Sequence, residues 1–267
     1  TLDAAVDAAA PDAGDKGVPP DRTPPDTVPD KSAWVCGTLE TTSGKAMSNV
    51  AVIMCKETVG CASSITTPKG AFCLSAKVKG EYLVHGMNGK WEGNYYLDIY
   101  FTVDVTQADI DGEKNIDVGK VLMPPIAKPL QTVDMKKGGA YDLGGGVALT
   151  IGAGVSKKPP LEQKLELGAA ALKKAQVHKL SGKKYKGSGK LHMAVAFYPL
   201  ETKFTAPVSF KFPSLGLGTG ASVEVYFLDD LDGKLSKQAD GLESGGSIVN
   251  IKGQGIKNLG IFLVFTK

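Results

Sequence analysis

Four cysteines, Cys36, Cys55, Cys61 and Cys73, are the residues of this chain whose spacing most narrows the chemistry open to it. They fall within 38 residues, with 18, 5 and 11 residues between successive members. Structural zinc sites pair their thiolates in short C-x(2–4)-C knuckles, which these gaps do not form. An even number of cysteines in one small β-rich stretch reads instead as two disulfides, and disulfides persist in an oxidising compartment. Four cysteines allow three pairings, so connectivity stays open at the level of sequence. The expected pairs are Cys55–Cys61, clipping the end of a hairpin, and Cys36–Cys73, tying the first strand to a later one.

The remaining chemistry-bearing types are dispersed. His85, His178 and His192 are the three histidines, each on a separate expected strand or segment. No G-x-S-x-G elbow occurs, and a disulfide-bonded cysteine is no nucleophile. His192, in LHMAVAFY, points away from its apolar neighbours and reads as a surface or edge residue. GSGK (187–190) and GAGVSK (152–157) contain glycine and lysine but lack the G-x-x-x-x-G-K-[ST] phosphate loop, so they read as turns. The acidic segments DIDGE (109–113) and DDLDG (229–233) invite a calcium reading. With Gly233 at the sixth loop position, Leu228 and Ala239 fall where an EF-hand needs acidic ligands; with Gly112 there, Gln107 and Val118 do. Both segments read as structural turns, and no metal or cofactor is expected.

Stepping from residues to the elements that would hold them, the longest strand candidate is WEGNYYLDIYFTVDV (91–105). With period two, Trp91, Tyr95, Leu97, Ile99, Phe101, Val103 and Val105 share a core face. The other face then carries Asn94, Tyr96, Asp98 and Tyr100, a set able to stack on a sugar ring while accepting its hydroxyl hydrogen bonds. The alternative is a set of cross-strand tyrosine pairs on a half-exposed sheet.

Charge is close to balanced, with a formal net charge of +3, but unevenly spread. Residues 1–31 hold seven Asp against Lys16, Arg22 and Lys31, whereas residues 157–190 hold ten Lys against Glu162 and Glu166. The second stretch is either a solvated lysine-rich face or a loose polyanion-binding surface. Arg22 is the only arginine, and bidentate reading of guanine or phosphate is mostly arginine work, so sequence-specific nucleic-acid binding is not expected.

Length allows two domains of about 100 residues plus a tail. Residues 1–31, built of Ala, Asp and Pro, cannot bury enough surface to offset their ordering entropy and read as a disordered stalk. No apolar run reaches the roughly 18 residues that cross a bilayer. From Ser32, short runs such as WVCGTL (34–39), NVAVIMC (49–55), GAFCLSA (70–76) and GEYLVHGM (80–87) alternate with turn clusters, the texture of a sandwich. MPPIAKP (123–129) ends this alternation and is the expected linker. Beyond it GGVALTIGAG (145–154), KLHMAVAFYP (190–199), PVSFKFP (207–213), SVEVYFLDD (222–230), SIVNIKG (247–253) and LGIFLVFT (259–266) read as strands. The last is apolar on both faces, as a central strand would be. Residues 161–180 suit either a strand or a short helix interrupted by Gly168.

Two resemblances follow. CGTLETTSGKAMSNVAVIM, the T-x-x-x-G-x-F element at Thr66, Gly70 and Phe72, and GEYLV (80–84) resemble the carboxypeptidase regulatory-like, or transthyretin-like, domain over about 34–123. That resemblance implies a non-catalytic sandwich in which the T-x-x-x-G turn joins two strands and the Phe enters the core. VALTIGAGV (147–155), FYPLETKFTAPVSFKFP (197–213) with Pro199, Phe204, Pro207 and Val208, VEVYFLDDLDGKL (223–235) and LGIFLV (259–264) are similar to the ZU5-type sandwich of bacterial surface proteins, over about 130–265. Some ZU5 relatives cleave themselves near a His-Phe-Ser element, which this chain lacks. The stalk's composition is similar to the tether that follows the lipidated cysteine of bacterial envelope lipoproteins.

The expectation is therefore an all-β chain with two β-sandwich domains in tandem: a tether at 1–31, a transthyretin-like sandwich at 32–123, a linker at 124–129 and a ZU5-like sandwich at 130–267. Its expected role is a non-catalytic, exported binding or structural protein at the outer membrane, cell surface or outside the cell, adhesive or glycan-binding. The competing roles are an accessory subunit binding protein partners in an envelope complex, and a hydrolase with a dispersed site. Partners are then an envelope protein or a glycan, with membrane contact only through an N-terminal lipid anchor.

Overall fold

Side chains alternate between buried and exposed along Ala33–Thr41 (β1), with Ala33, Val35 and Leu39 on the inner face. The computed structural model describes residues 31–87, 89–98, 100–134, 136–155, 165–177, 189–200, 202–229 and 233–266. The expected stalk lies outside these residues apart from Lys31, as does His178. Everything from Lys31 onward belongs to one compact unit.

β1 is the centre of a three-stranded sheet. It pairs antiparallel with Ala71–Ala76 (β4) and parallel with Asn115–Met123 (β9). A bulge interrupts the parallel pairing between Cys36 and Gly37. A Cβ on Gly37 would lie 2.7 Å from both the Gly119 carbonyl and Val118, which is why only glycine fits there. A second, antiparallel sheet runs in the order Gly60–Ile65 (β3), Ala51–Lys56 (β2), Gly80–Gly86 (β5) and Phe101–Val105 (β8). The two sheets bury one face each in a common core that includes Val35, Leu39, Phe72 and Leu74 from the first and Met54, Val84, Phe101 and Val103 from the second. This is the sandwich that the short alternating runs indicate.

The turn between β3 and β4 shows how local chemistry sets the layout. The buried Thr66 hydroxyl donates to the Met47 carbonyl (2.7 Å) and accepts from the Val50 amide (2.9 Å), pinning two loops. Gly70 closes the turn at φ +74°, and a Cβ there would lie 2.5 Å from the Leu39 carbonyl. Phe72 then enters the core. A single helical turn, Gln107–Asp111 (α1), connects β8 to β9. It is held by a capping box between Thr106 and Asp109 and stopped at Gly112. The acidic segment 109–113 is thus the end of a capped helix rather than a hairpin turn. Its first carboxylate is occupied by the Thr106 amide and hydroxyl.

The expectation of one strand across 91–105 is corrected. Gly89–Trp91 (β6) and Asn94–Tyr96 (β7) form a tight hairpin through Glu92 and Gly93, both at positive φ (45° and 87°). The chain then leaves strand geometry at Leu97 and Asp98 before β8 begins at Phe101. The hairpin brings Trp91 and Tyr96 together edge to face, with ring centroids 5.8 Å apart, although strict alternation would part them.

The second half forms one antiparallel sheet. Along its path lie Gln131–Thr132 (β10), Glu166–Lys173 (β13), Leu191–Tyr198 (β14), Ile261–Thr266 (β20), Ser222–Leu228 (β16), Leu235–Ser244 (β17), Ser247–Asn250 (β18), Lys203–Pro213 (β15), Val147–Ile151 (β12) and Gly139–Gly144 (β11). Ile256–Asn258 (β19) pairs with β15 off this path. The sheet curls until its ends meet, and the Gln131 side-chain amide donates to the Asp142 carbonyl of β11. Phe197, Phe210, Phe212, Phe262 and Val264 fill the inside of the curl. Residues 166–173 are strand, which resolves the strand-or-helix alternative for that part of 161–180; residues 161–164 and 178–180 lie outside the described residues.

β20 is buried on both faces. Phe262 and Val264 point into the curl, while Ile261, Leu263 and Phe265 join a separate cluster with Leu83, Leu97 and Tyr100 of the first half. Between the two halves, the 123–129 segment is fastened on both sides. The Leu97 amide donates to the Pro124 carbonyl (3.0 Å), Ile126 N to the Tyr95 carbonyl (2.9 Å) and Ala127 N to the Ala169 carbonyl (3.2 Å). It is hydrogen-bonded to both sheet systems.

Candidate functional site

Both expected disulfides are formed. Cys36 and Cys73 are direct cross-strand partners in the β1–β4 pair, and Cys55 and Cys61 in the β2–β3 pair. Each bridge locks the register of a hairpin or strand pair in the first half, and no cysteine is free. Structural disulfides form and persist in an oxidising compartment.

The tyrosine face does not reach the surface. Asn94 is exposed, but Tyr96, Asp98 and Tyr100 are 7%, 3% and 1% exposed. Tyr96 packs into the first core, and Tyr100 into the cluster between the halves, where its hydroxyl donates to the Leu228 carbonyl (2.7 Å). Asp98 lies 3.3 Å from His85 Nδ1 and accepts from the Gly86 amide (3.1 Å), and the His85 ring tilts against Tyr100 with centroids 5.0 Å apart. The hairpin and the break in the strand are the physical reason: they turn three of the four side chains inward. These residues form a seam between the halves, and no exposed stacking platform results.

A concave site forms elsewhere, at one end of the curled sheet. Its walls are the end of β13, the following 3-10 turn (Lys174–Gln176), the start of β14 and the loop after β15. The cavity encloses about 410 Å³, in the range of ligand pockets. Ala171, Met193, Pro213 and Leu215 supply apolar lining, and Lys173, Lys174, Gln176, His192 and Ser214 the polar part. β13 and β14 place these groups because Lys173 and Met193 are cross-strand neighbours and the register shifts between Leu191 and Met193, at His192.

The electrostatics of this cavity are one-sided. Lys174 is exposed, and slight desolvation and then the charge of Lys190 lower its pKa from the ordinary value. Burial, then the charges of Lys190 and Lys174, lowers that of the His192 imidazole, whose Nε2 sits 3.3 Å from the Thr266 hydroxyl. Among the described residues neither Lys174 nor Lys190 has a carboxylate partner. Behind the loop, Glu243 accepts from the Ser214 hydroxyl and from the Leu215 amide (3.2 Å). The Ser214 oxygen in turn accepts from the Gly216 amide (3.0 Å). Ser214 therefore fastens a turn, and no hydrogen bond joins it to His192 among the described residues.

A second cavity of about 460 Å³ lies on the other side of Gly145, lined by Lys128, Asp142, Lys211 and the glycines 144–146. There Lys128 is already paired with Asp142 at 2.5 Å, and that bond is the main cause of the lowered Asp142 pKa. Among the described residues no group of three or more His, Cys, Asp or Glu side chains is placed to hold a metal ion.

The basic cavity was half legible in the sequence. Lys173 and Lys174 belong to the lysine-rich stretch, but their meeting with His192, Met193 and Leu215 depends on pairings that sequence periodicity does not encode.

No family model matches the chain, and no curated protein matches it. Among solved structures the chain is similar to the TIE protein of Bacillus anthracis, at 8% identity and a TM-score of 0.29, covering 89% of this chain and 48% of that one. It thus spans about half of that protein's length. It is also similar to a DUF3823 family protein from Parabacteroides merdae, at 10% identity and a TM-score of 0.24, with 85% of this chain and 99% of the other covered. A third is the fimbrial protein FimP from Actinomyces oris, at 10% identity and a TM-score of 0.25, with 86% of each covered. Scores this low carry nothing about ligands or activity.

Proposed function

We propose that this protein is a non-catalytic, exported binding module of the bacterial cell envelope whose ligand site is the basic-rimmed cavity at the end of the curled sheet. The observation that carries the reading is the cavity itself: a concavity of ligand size on strand ends, with apolar walls and converging polar groups. Its serine is tied into a turn and its histidine sits beside lysines, an arrangement suited to holding a molecule and lacking an activated nucleophile. Within this reading the first half is a transthyretin-like module and the second a ZU5-like one, carried on a tether. Adhesion, glycan binding and docking into an envelope complex are the finer roles this module would serve.

The test is a fluorescence titration with 8-anilinonaphthalene-1-sulfonate on the folded protein and on Ala171→Phe, which fills the cavity from one wall. Saturable binding lost in the variant, with an unchanged circular dichroism spectrum, is expected. Saturable turnover of p-nitrophenyl octanoate that disappears in Ser214→Ala or His192→Ala would replace this reading with that of a hydrolase.

A further inference from the structure

We infer that β3 pairs edge to edge with β3 of a second copy of this chain, antiparallel and centred on Ser63, so that two four-stranded sheets become one. This interface is separate from the cavity and independent of what the cavity binds.

The phase of the hydrogen bonds leaves this edge open. β3 is the last strand of its sheet. The Thr66 amide donates to the Val50 carbonyl and the Met87 amide to the Ala51 carbonyl, both at 2.9 Å. Backbone groups alternate sides along a strand, so Ala51, Ile53 and Cys55 turn theirs toward β5, and their β3 partners Ile65, Ser63 and Cys61 turn theirs outward. Among the described residues no hydrogen bond takes up the amides or carbonyls of these three. A row of free backbone groups is a template for another strand.

Other edges carry devices that discourage pairing. β9 has Asp117, Lys120 and an irregular register, β8 has Asp104, and the amide and carbonyl of Ala71, which opens β4, are bonded to Thr67. β3 (GCASSI) holds neither charge nor proline, and its pairing with β2 runs without a bulge. Its outer face is apolar as well: Ile65 is 57% exposed and Met87 48%, on either side of Ala51. The Cys55–Cys61 bridge ties the strand to β2, so the edge is ordered before a partner arrives.

A second copy is the occupant because the edge is self-complementary. A two-fold axis at Ser63 sets Ser63 against its own equivalent and Ile65 against the partner's Cys61, matching each free amide with a free carbonyl. The same axis brings Glu57, in the turn before β3, to the end where the partner's Lys69, in the turn after, lies. Both are exposed, and among the described residues neither has an ion-pair partner.

Sedimentation equilibrium is expected to show a monomer–dimer equilibrium with a dissociation constant on the order of 10–100 µM, as suits a small interface. Ser63→Pro removes an amide that β2 does not use, and Ile65→Lys sets a charge on an exposed edge position. Each should weaken the dimer by about tenfold or more with an unchanged circular dichroism spectrum. Ile65→Lys alters only an exposed side chain and decides the matter if Ser63→Pro does not fold. Glu57→Lys should weaken the dimer about fivefold at low salt, and adding Lys69→Glu should restore it. By NMR, exchange of the Cys61, Ser63 and Ile65 amides should slow as protein concentration rises. A chain that stays monomeric at about 1 mM overturns the pairing. So does a dimer that Ile65→Lys leaves unchanged, or one in which these amides exchange as in the monomer. Slowing of the amides only on addition of an alternating Thr-Val peptide also overturns it, in favour of a foreign strand at this edge.

Discussion

Tyr96, Asp98 and Tyr100 alternate with apolar residues as surface groups would, yet each is buried, and each does a different job once inside. Tyr100 bridges the halves through the Leu228 carbonyl, Asp98 satisfies the Gly86 amide beside His85, and Tyr96 packs on Trp91. Truncating a buried aromatic removes its transfer free energy and leaves a cavity. Tyr100→Ala is therefore expected to destabilise by about 3–5 kcal/mol and Tyr100→Phe by only about 1 kcal/mol, because the latter loses one hydrogen bond. Urea denaturation measures both; a neutral Tyr100→Ala would return this side chain to the surface. Tyr82 follows the same logic: burial pushes its phenol pKa up, and its hydroxyl donates to the Val78 carbonyl (2.6 Å).

At the scale of elements, both disulfides brace the first half. The Cys36–Cys73 bridge closes a sequence separation of 37 residues and Cys55–Cys61 one of 6. In the chain-entropy model, replacing each pair by alanines costs about 4 and about 2 kcal/mol respectively. Guanidinium midpoints of the two double variants should keep that order. The cap of α1 carries a pH signature. Hydrogen bonds from the Thr106 side chain and then its backbone hold the Asp109 pKa below its unfolded value of 3.8, against a smaller opposing effect of burial. Its contribution is thus fully present above that value and is lost as pH falls through the lowered folded one. Asp109→Asn should lower the melting temperature at pH 7, and the difference from the unaltered protein should shrink as pH falls below 3.8. Alternation and turn clusters made β1, β2, β4 and β5 legible, whereas the exposed β3 was not among the runs read as strands. The β6–β7 hairpin was not legible either, because Glu92 at positive φ lies outside the usual Asn-Gly or Asp-Gly signal.

For the whole molecule, the cluster of Leu83, Leu97, Tyr100, Ile261, Leu263 and Phe265 joins the two sheet systems, and the 124–127 backbone is bonded to each. A shared core of this kind couples their unfolding, so calorimetry should record a single transition for both halves. Leu263→Ala is expected to cost about 2–5 kcal/mol and to shift that transition as one; two separate transitions in the unaltered protein would show that the seam does not couple them. β17 was missed in the sequence because Ala239 is its only side chain in the inner core cluster, and its strand state comes from neighbours on both edges. The sequence by itself determined the all-β character, the disulfide chemistry with its oxidising compartment, and the central position of the 261–266 run, since these follow from composition, cysteine spacing and an apolar pattern on both faces. Tertiary structure alone decided that the tyrosines turn inward and that Lys173, Lys174 and His192 line the same apolar hollow. The physical reason is that period-two patterning specifies which side chains seek burial, whereas strand breaks, sheet curl and pairings between distant segments choose the surface they meet.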